Sequence, residues 1–335
     1  MSNATGTSAQ NYNALLKPYR EADTVRSILE IVVTVVPLVL LLVAMWVSLS
    51  YSYWLVLLFS VPAAGFLVRL FMIQHDCGHG AFFRRRSTND WVGRVLGVVT
   101  LTPYQYWRDC HAAHHATSGN LDHRGIGDID TLTVEEYKRL SKWARLRYRC
   151  YRHPLVMFGI GPAYLFLFRN RFPSGGLGAT RKAWISVTGT NVAIAAAAAV
   201  AVYSIGLVPF LAIYAPVILI GASIGVWLFY VQHQFEDTFW ARETDWTLPE
   251  AALLGSSYYD LPPVLRWMSA NIGIHHVHHL NSRIPFYRLP AVLENVLSLR
   301  STRRLTIAES VRCVRLALWD ESTRKLVSFR HLRLQ

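Results

Sequence analysis

Histidines are the side chains of this sequence whose type and spacing best fit metal chemistry. Nine of the 13 histidines lie in three short segments, 75–79, 111–115 and 275–279, and His233 follows a long apolar run. On a helix, residues three or four positions apart share one face, so each segment presents two or three imidazoles in one direction. His276 would point about 100° away from that face, and we expect it either to support a metal-binding residue or to be structural.

Imidazoles that converge in this way would bind metal. The eight or nine neutral rings are too many for one zinc ion, which takes about four ligands, and they fit two metal ions. Imidazole suits iron, zinc, copper and nickel, so the spacing leaves the metal open. Cys77 lies off the face of His75 and His79, and the Glu-x-x-His pattern of helical carboxylate di-iron proteins is missing. The alternative is a set of structural or pH-sensing histidines.

Two long segments without Lys, Arg, Asp or Glu must position these clusters. They cover residues 31–68 and 183–235, which are 38 and 53 residues long. A membrane-spanning helix needs roughly 20 apolar residues, so each segment is long enough for two. We predict spans at about 29–49, 53–73, 184–204 and 209–232. The alternative, buried helix pairs in a soluble protein, is disfavoured because apolar runs of this length are rare there.

The composition agrees with a membrane protein. Hydrophobic residues make up 52% of the chain and charged residues 16%, yet the formal net charge is +13. The low charge content argues against disorder and against a soluble nucleic-acid-binding protein, so no nucleic acid is expected as a partner. Neither hairpin loop carries a charge, so the positive-inside rule places the termini and the segments 74–183 and 233–335 in the cytoplasm.

The predicted fold class is therefore an all-α integral membrane protein. Two transmembrane helical hairpins carry a cytoplasmic helical cap with the histidine clusters, in a single domain over 1–335. Arg69 lies in a proposed span, near its inner end, and we expect its side chain to extend to the interface. Capping-box patterns at Thr133 and Thr306 predict helices at about 134–150 and after residue 306. Gly221 and Gly225 predict close helix packing.

The three clusters, spaced H-x3-H, H-x2-H-H and H-x2-H-H around two membrane hairpins, resemble the histidine boxes of the integral-membrane fatty acid desaturases. The segments 75–79, 125–130 and 278–285 are most similar to bacterial acyl-lipid enzymes of the delta-12 (omega-6) type. The resemblance implies a non-haem di-iron centre with O2 as co-substrate, and no catalytic residue outside the metal centre. The implied ligands are His75, His79, His111, His114, His115, His233, His275, His278 and His279.

Further residues are expected around that centre. We expect carboxylates to fix the tautomers of the imidazoles, and the candidates are Asp76, Asp109, Glu236, Asp237 and Asp260. The alternative is that each of these residues is a helix cap or a surface charge. A turn role or a role in orienting the loop after the second box is expected for Asp128 and Asp130. Related acyl-CoA desaturases use an Asn four residues before the lone histidine, where this sequence has Phe229. Asn271, four residues before His275, is the candidate substitute.

Removal of two hydrogens from an unactivated alkyl chain requires dioxygen activated by a cofactor. The resemblance implies desaturation of membrane-lipid acyl chains at the cytoplasmic side of a bacterial inner membrane. No His-Pro-Gly-Gly motif marks a fused cytochrome b5 domain. An external ferredoxin or cytochrome b5-like donor is therefore expected. The alternatives are a hydroxylase, epoxygenase or ketolase of an alkyl or carotenoid substrate, another metal- or haem-binding membrane protein, or a non-catalytic lipid-binding protein.

Overall fold

The computed structural model describes residues 9–174, 177–300 and 302–333. Within these residues the chain is mainly helical. The longer helices are α1 (Ala9–Leu16), α2 (Thr24–Ser48), α3 (Tyr53–His79), α4 (Arg86–Val99), α5 (Tyr104–Thr117), α7 (Lys142–Tyr151), α9 (Arg181–Ile205) and α10 (Leu207–His233). The shorter helices are α6 (Val134–Arg139), α8 (Gly161–Leu167), α11 (Leu248–Leu254), α12 (Pro263–Met268), α13 (His275–Leu280), α14 (Leu289–Asn295) and α15 (Ile307–Cys313).

Short strands and single turns complete the described chain. The strands are β1 (Leu132–Thr133), β2 (Tyr258–Tyr259), β3 (Arg304–Leu305), β4 (Leu316–Asp320) and β5 (Lys325–Ser328). A π-helical turn at Val156–Ile160 precedes α8, and 3-10 turns lie at Lys17–Arg20, Arg169–Arg171, Phe286–Arg288, Leu297–Leu299 and His331–Arg333. Strand β4 pairs with β1 in parallel and with β5 in antiparallel, while β2 and β3 form a separate parallel pair.

Four of the described helices, α2, α3, α9 and α10, are long and apolar enough to cross a membrane by length and composition. They confirm the four predicted spans and their order as two hairpins. Helix α3 continues six residues beyond its predicted end, through the first histidine box, and Gly80 then ends it with a φ of 69°. Only glycine adopts such a left-handed conformation without strain. Because α10 ends on His233, both inner helix ends carry histidines.

Helix α3 forms the centre of the four-helix arrangement. In its most apolar stretch 56% of the residues are buried, against 6% in α9, which leaves most of α9 exposed on the outside. Helix α10 packs closely on α3 at Gly221, where an added Cβ would lie 3.2 Å from Cδ2 of Leu67. A Cβ at Gly225 would meet nothing within 4 Å. The prediction of a close glycine contact is therefore confirmed at Gly221 and wrong at Gly225.

Arg69 does not extend to the interface, so that expectation is wrong. Its side chain is 1% exposed and forms an ion pair with Glu30 of α2, which is equally buried. The guanidinium also donates to Oγ1 of Thr34 and to the carbonyl oxygen of Trp267, and lies 4.1 Å from the Trp267 ring centroid. A cation buried at this depth is stable because the facing carboxylate and hydrogen-bond acceptors replace its hydration. Arg69 thus joins α2, α3 and α12.

The cap at the histidine-bearing ends of the spans is built from short helices and the two small sheets. Both capping boxes are confirmed, with Thr133 and Glu136 at the start of α6 and Thr306 and Glu309 at the start of α15. The predicted helix over 134–150 is interrupted, because Leu140 is extended at φ −66° and ψ 149°. Ser141 then caps α7 by accepting a hydrogen bond from the backbone N–H of Ala144.

Candidate metal centre

The histidine boxes lie on helices, as their spacing predicts. The last turns of α3 carry the first box, α5 carries the second, and the short α13 carries the third. His233 is the last residue of α10. Helices α3 and α10 pack against each other. Rings of α13 contact both helices, His278 meeting His75 and His275 meeting His233, so four separate segments bring their imidazoles to one place.

The nine histidines named above lie in two groups with one bordering ring. The larger group is His75, His79, His111, His115 and His278, and the smaller group is His114, His233 and His279. Within each group, one ligand nitrogen per histidine lies within 4.8 Å of all the others. His275 borders the smaller group, with its Nε2 at 3.0 Å from Nε2 of His233 and 3.1 Å from Nε2 of His279.

The second and third boxes each contribute to both groups. In α5, His111 and His115 join the larger group while His114 joins the smaller one, and in α13 His278 and His279 separate in the same way. Neighbouring residues on a helix point about 100° apart, so a pair of consecutive histidines reaches two adjacent positions. The groups touch where the rings of His115 and His279 stack at 4.1 Å between centroids. The sequence predicted one shared face, and the structure divides that face in two.

Burial favours the neutral form of five of the site histidines outside the spans. Burial lowers the pKa of His111, His115, His275, His278 and His279 well below the usual histidine value, and the neighbouring imidazoles lower it further. A neutral imidazole has one nitrogen with a free lone pair, which is the form that binds metal. Burial also lowers the pKa of His276 to about 4. That ring points to the carbonyl oxygen of Leu299, 3.0 Å away, as the structural alternative predicts.

Three hydrogen bonds orient rings from their Nδ1 side. Nδ1 of His75 lies 3.2 Å from Oδ1 of Asp76, whose other oxygen accepts from the backbone N–H of Phe286 at 2.7 Å. Nδ1 of His114 contacts Asp128, and Nδ1 of His233 lies 3.0 Å from the carbonyl oxygen of Gly255. A proton on Nδ1 donates to each of these oxygens, so Nε2 keeps its lone pair for the interior of the group.

The other proposed orienting residues form their contacts elsewhere. Asp109 accepts from Gln105 and pairs with Arg108, while Glu236 and Asp237 both pair with Lys325. Asp260 pairs with Arg266 and Arg304, and Asn271 donates to the carbonyl oxygen of Phe286. Of the proposed carboxylates, the structure brings Asp76 to a site histidine.

Asp128 was assigned only a loop or turn role from the sequence, yet it contacts His114. Gly127 lets its loop approach α5, because a Cβ there would lie 3.2 Å from the carbonyl oxygen of Cys110 and 3.3 Å from Cβ of His114. Its φ of 74° also favours glycine. The Gly-Ile-Gly-Asp stretch indicated a tight turn that carries a carboxylate close to the second box. The sequence alone does not say which histidine that carboxylate contacts.

Phe229 forms an apolar wall beside the smaller group. Its ring centroid lies 5.1 Å from that of His114 and 5.4 Å from that of His233. It also lines a small cavity with Asp128, Gln234 and Trp240. This is the position at which the related acyl-CoA desaturases have their Asn, so here an aromatic ring replaces a polar side chain.

The donor atoms fit a pair of metal ions. Nε2 of His79, Nε2 of His114 and Nδ1 of His275 are buried without a hydrogen-bond partner in the described part of the chain. Nε2 atoms of neighbouring rings also face each other, at 3.2 Å between His111 and His115 and 3.1 Å between His115 and His278. Buried polar atoms are nearly always satisfied, and a cation between converging lone pairs satisfies several at once. Imidazole-only sets suit iron, zinc, copper or nickel.

These features define a class, a helical integral membrane protein with a buried polyhistidine site at the inner ends of two hairpins. Comparison with known sequences is more specific. The family model described as fatty acid desaturase matches residues 52–309. The chain therefore belongs to the fatty acid desaturase family, and it is an oxidoreductase.

Individual relatives agree with the family assignment. A fatty acid desaturase of Bacillus subtilis is 44% identical over 315 residues, which cover 94% of this chain and 89% of the relative. An sn-1 acyl-lipid omega-3 desaturase (ferredoxin) of Synechocystis is 30% identical over 68% of this chain and 63% of its own length. An sn-1 oleoyl-lipid 12-desaturase of the same organism is 25% identical over 67% and 63%.

Proposed function

We propose that this protein is an O2-dependent desaturase of membrane-lipid acyl chains that works at a non-haem di-iron centre. The observation that carries the proposal is the convergence of nine buried or half-buried histidines at the carboxyl ends of α3 and α10, eight of them in two adjacent groups and His275 beside the second. Family membership supplies the reaction class. The acyl-lipid substrate is supported by the names of relatives that act on acyl lipids.

Two irons would be held by the two groups. His75, His79, His111, His115 and His278 would bind one, and His114, His233 and His279 the other, with His275 beside the second group. Bound iron would supply the activation of dioxygen that removes hydrogen from an unactivated methylene, which no side chain can do. Because all the proposed ligands are neutral, they leave the positive charge of the metal uncompensated.

The protein side chains prepare the site for this chemistry. Asp76, Asp128 and the carbonyl oxygen of Gly255 hold protons on the Nδ1 atoms of three histidines, which keeps their Nε2 lone pairs pointed inward. Burial lowers the pKa of His111, His115, His275, His278 and His279, which favours their neutral, metal-binding form. Phe229 adds an apolar surface against His114 and His233, where an alkyl chain would be tolerated better than water.

The position of the histidines fits a lipid substrate. His79 lies 26 residues beyond Tyr53 on α3, about 39 Å along a helix, while a bilayer's hydrocarbon core is about 30 Å thick. A span that begins near Tyr53 therefore carries the first box just past the boundary of the hydrocarbon. An acyl chain that bends out of the inner leaflet would reach the irons from there.

We further propose that the centre faces the cytoplasm of a bacterial inner membrane and receives electrons from a separate ferredoxin or cytochrome b5-like protein. The excess of Lys and Arg outside the hairpin loops supports this orientation. A relative's name specifies ferredoxin. Complementary charge would assist docking of an acidic electron donor to a basic cytoplasmic face.

Expression in a bacterial host without polyunsaturated lipids tests the reaction. Mass spectrometry of the total fatty acids is expected to show new double bonds with the unaltered chain and none with His114→Ala or His278→Ala. An hydroxylated or epoxidised product without a new double bond would contradict desaturation and favour the alternative reactions. A Soret band, or zinc in place of iron in the purified protein, would contradict the di-iron centre.

A further inference from the structure

A surface cleft between α12 and α15 lies outside the histidine site. It has a volume of about 490 Å³ and is open to the surroundings. Its lining combines charged, polar and apolar side chains, Asp260, Leu261, Pro262, Pro263, Arg266, Thr306, Ile307 and Ala308. The charges and the depth of this cleft indicate what it would bind.

The depth follows from the contacts between α12 and α3. A Cβ at Gly65 would lie 3.0 Å from Cγ of Met268, and the ring of Phe66 contacts that of Trp267. Gly65 is 12 residues beyond Tyr53, about 18 Å along the helix, which is well inside a hydrocarbon core of about 30 Å. The carboxyl end of α12 therefore lies at the depth of the inner leaflet, although α12 itself is too short to cross it.

Apolar side chains surround the cleft and continue the membrane-facing surface. Val264 of α12 is 71% exposed and Val311 of α15 is 58% exposed, and Leu265 and Ile307 are exposed beside them. Ile307 and Val311 are four residues apart, so they lie on one face of α15. We infer that these exposed apolar residues next to the spans are covered by acyl chains rather than by water.

The charges in and near the cleft favour an anion. Asp260 pairs with Arg266 and Arg304, so one carboxylate meets two guanidinium groups. The hydroxyl of Tyr258 also donates to Asp260. Two arginines carry about ten N–H donors and a carboxylate has only about four acceptor positions, so donors remain for a further anion. Between residues 300 and 315 there are five arginines and one glutamate.

A second three-charge network has the opposite balance. Arg242 pairs with both Asp122 and Glu321, so one guanidinium meets two carboxylates. The net charge of this network is negative, whereas that of the network around Asp260 is positive. Both networks join segments of the cap that are distant in sequence. The network around Arg242 is a matched control for the removal of a surface arginine.

From these observations we propose that the cleft between α12 and α15 binds the phosphate headgroup of an anionic phospholipid in the inner leaflet. The arginines bind the phosphate, and Val264, Leu265, Ile307 and Val311 contact the acyl chains. The cap is thereby held against the membrane beside the spans. This binding goes beyond the proposed oxidation and does not require iron, so either can fail while the other holds.

The affinity for the headgroup is tested on the purified full-length protein. Native mass spectrometry would follow binding of phosphatidylglycerol and phosphatidylcholine in detergent. The Arg266→Gln/Arg304→Gln variant is expected to bind phosphatidylglycerol less tightly, by about fivefold for each charge removed, and Arg242→Gln to bind like the unaltered chain. Equal binding by the double variant and the unaltered chain, or an equal loss in Arg242→Gln, would overturn the proposal.

The membrane contact is tested without altering the arginines. A bimane probe on Val264→Cys, in a Cys150→Ser background, is expected to be quenched by brominated phospholipids in vesicles. The same probe on Glu135→Cys, an exposed position on α6, is expected to be unaffected. No quenching at position 264 would overturn the proposal. So would displacement of phosphatidylglycerol by an equal concentration of glycerol phosphate, since a soluble phosphate site would explain that result. The quenching and the displacement measurements both use proteins with intact arginines. They therefore test the proposal even if the Arg266→Gln/Arg304→Gln variant does not fold.

Discussion

The two histidine groups differ in the number of imidazoles and in the segments that supply them. The larger group takes five rings from the three boxes, whereas the smaller takes one ring from each of two boxes and one from the end of α10. The larger group is formed by α3, α5 and α13 together, while the smaller depends on the isolated His233 and has Phe229 as a neighbour. The same repeated H-x2-H-H spacing therefore builds two unequal candidate metal positions.

This inequality indicates different tasks for the two positions. Five imidazoles nearly complete a metal's coordination, whereas three leave open positions of the kind that catalytic metal sites keep. His275 borders the smaller group and could add a fourth ring there. We therefore expect the smaller group to hold its metal less tightly and to depend more on each residue around it.

Removal of single ligands gives the largest effect. We expect His279→Ala to lose the metal of the smaller group, and so about half of the iron, because only two of its three rings remain. His278→Ala keeps four of five rings and is expected to retain more iron. Both variants should lose desaturation. Iron per chain measured by plasma mass spectrometry, with His276→Ala as a control that keeps its iron, makes the comparison. Equal iron losses in the two ligand variants would remove the distinction between the groups.

The orienting carboxylates should have the next largest effect. Each group has one, Asp76 on His75 and Asp128 on His114. We expect Asp128→Asn and Asp76→Asn to weaken metal binding or activity by about 10- to 100-fold, with the greater loss for Asp128→Asn, since its group has fewer rings to compensate. Iron titration would measure this. Asp109→Asn serves as the control because Asp109 bonds to Gln105 and Arg108. A loss in Asp109→Asn as large as in Asp128→Asn would contradict this assignment.

Metal removal by a chelator should distinguish the two histidine groups in the unaltered protein. We expect iron to leave in two phases, with a several-fold faster first phase from the three-histidine group. Fewer protein ligands must dissociate there before the metal is released. The time course of iron release at neutral pH, repeated with His279→Ala, assigns the phases. Persistence of the fast phase in that variant would show that it comes from the larger group.

Substitution of Phe229 should give the smallest effect. Phe229→Asn places an amide oxygen one helical turn before His233, where the native ring contacts His114 and His233. We expect iron release from the smaller group to slow by roughly two- to threefold, the gain from one added polar contact. Phe229→Leu keeps the position apolar and should leave the rate unchanged. Faster release in Phe229→Asn than in Phe229→Leu would mean that the ring supports the group by packing.

Much of the arrangement could be predicted because it depends on short-range patterns. Charge-free segments revealed the four spans, and the i, i+3 and i+4 spacing placed the histidines on helices. Capping boxes marked the starts of α6 and α15. Each of these depends on a helix period or a hydrogen bond within a few residues, which a sequence displays directly.

The predictions that failed concern partners that are distant in sequence. Arg69 was expected at the interface, but Glu30 and the carbonyl oxygen of Trp267 hold it inside. Asp109 was a proposed partner of a histidine, but it contacts Gln105 and Arg108, and Asp128 contacts His114 instead. The capping box at Thr133 marked where the helix over 134–150 begins but not its interruption at Leu140, where the backbone is extended.

The sequence by itself determined a four-span membrane protein with histidine clusters beside its spans, because hydrophobic length and helical spacing are local properties. Only the tertiary structure decided that the clusters divide five to three, that Asp76 and Asp128 are the carboxylates that contact site histidines, and that α12 packs on α3 at Gly65. These features depend on how α3, α5, α10, α12 and α13 pack. The rotation of one helix against another decides which side chain reaches which partner, and no short-range pattern encodes that rotation.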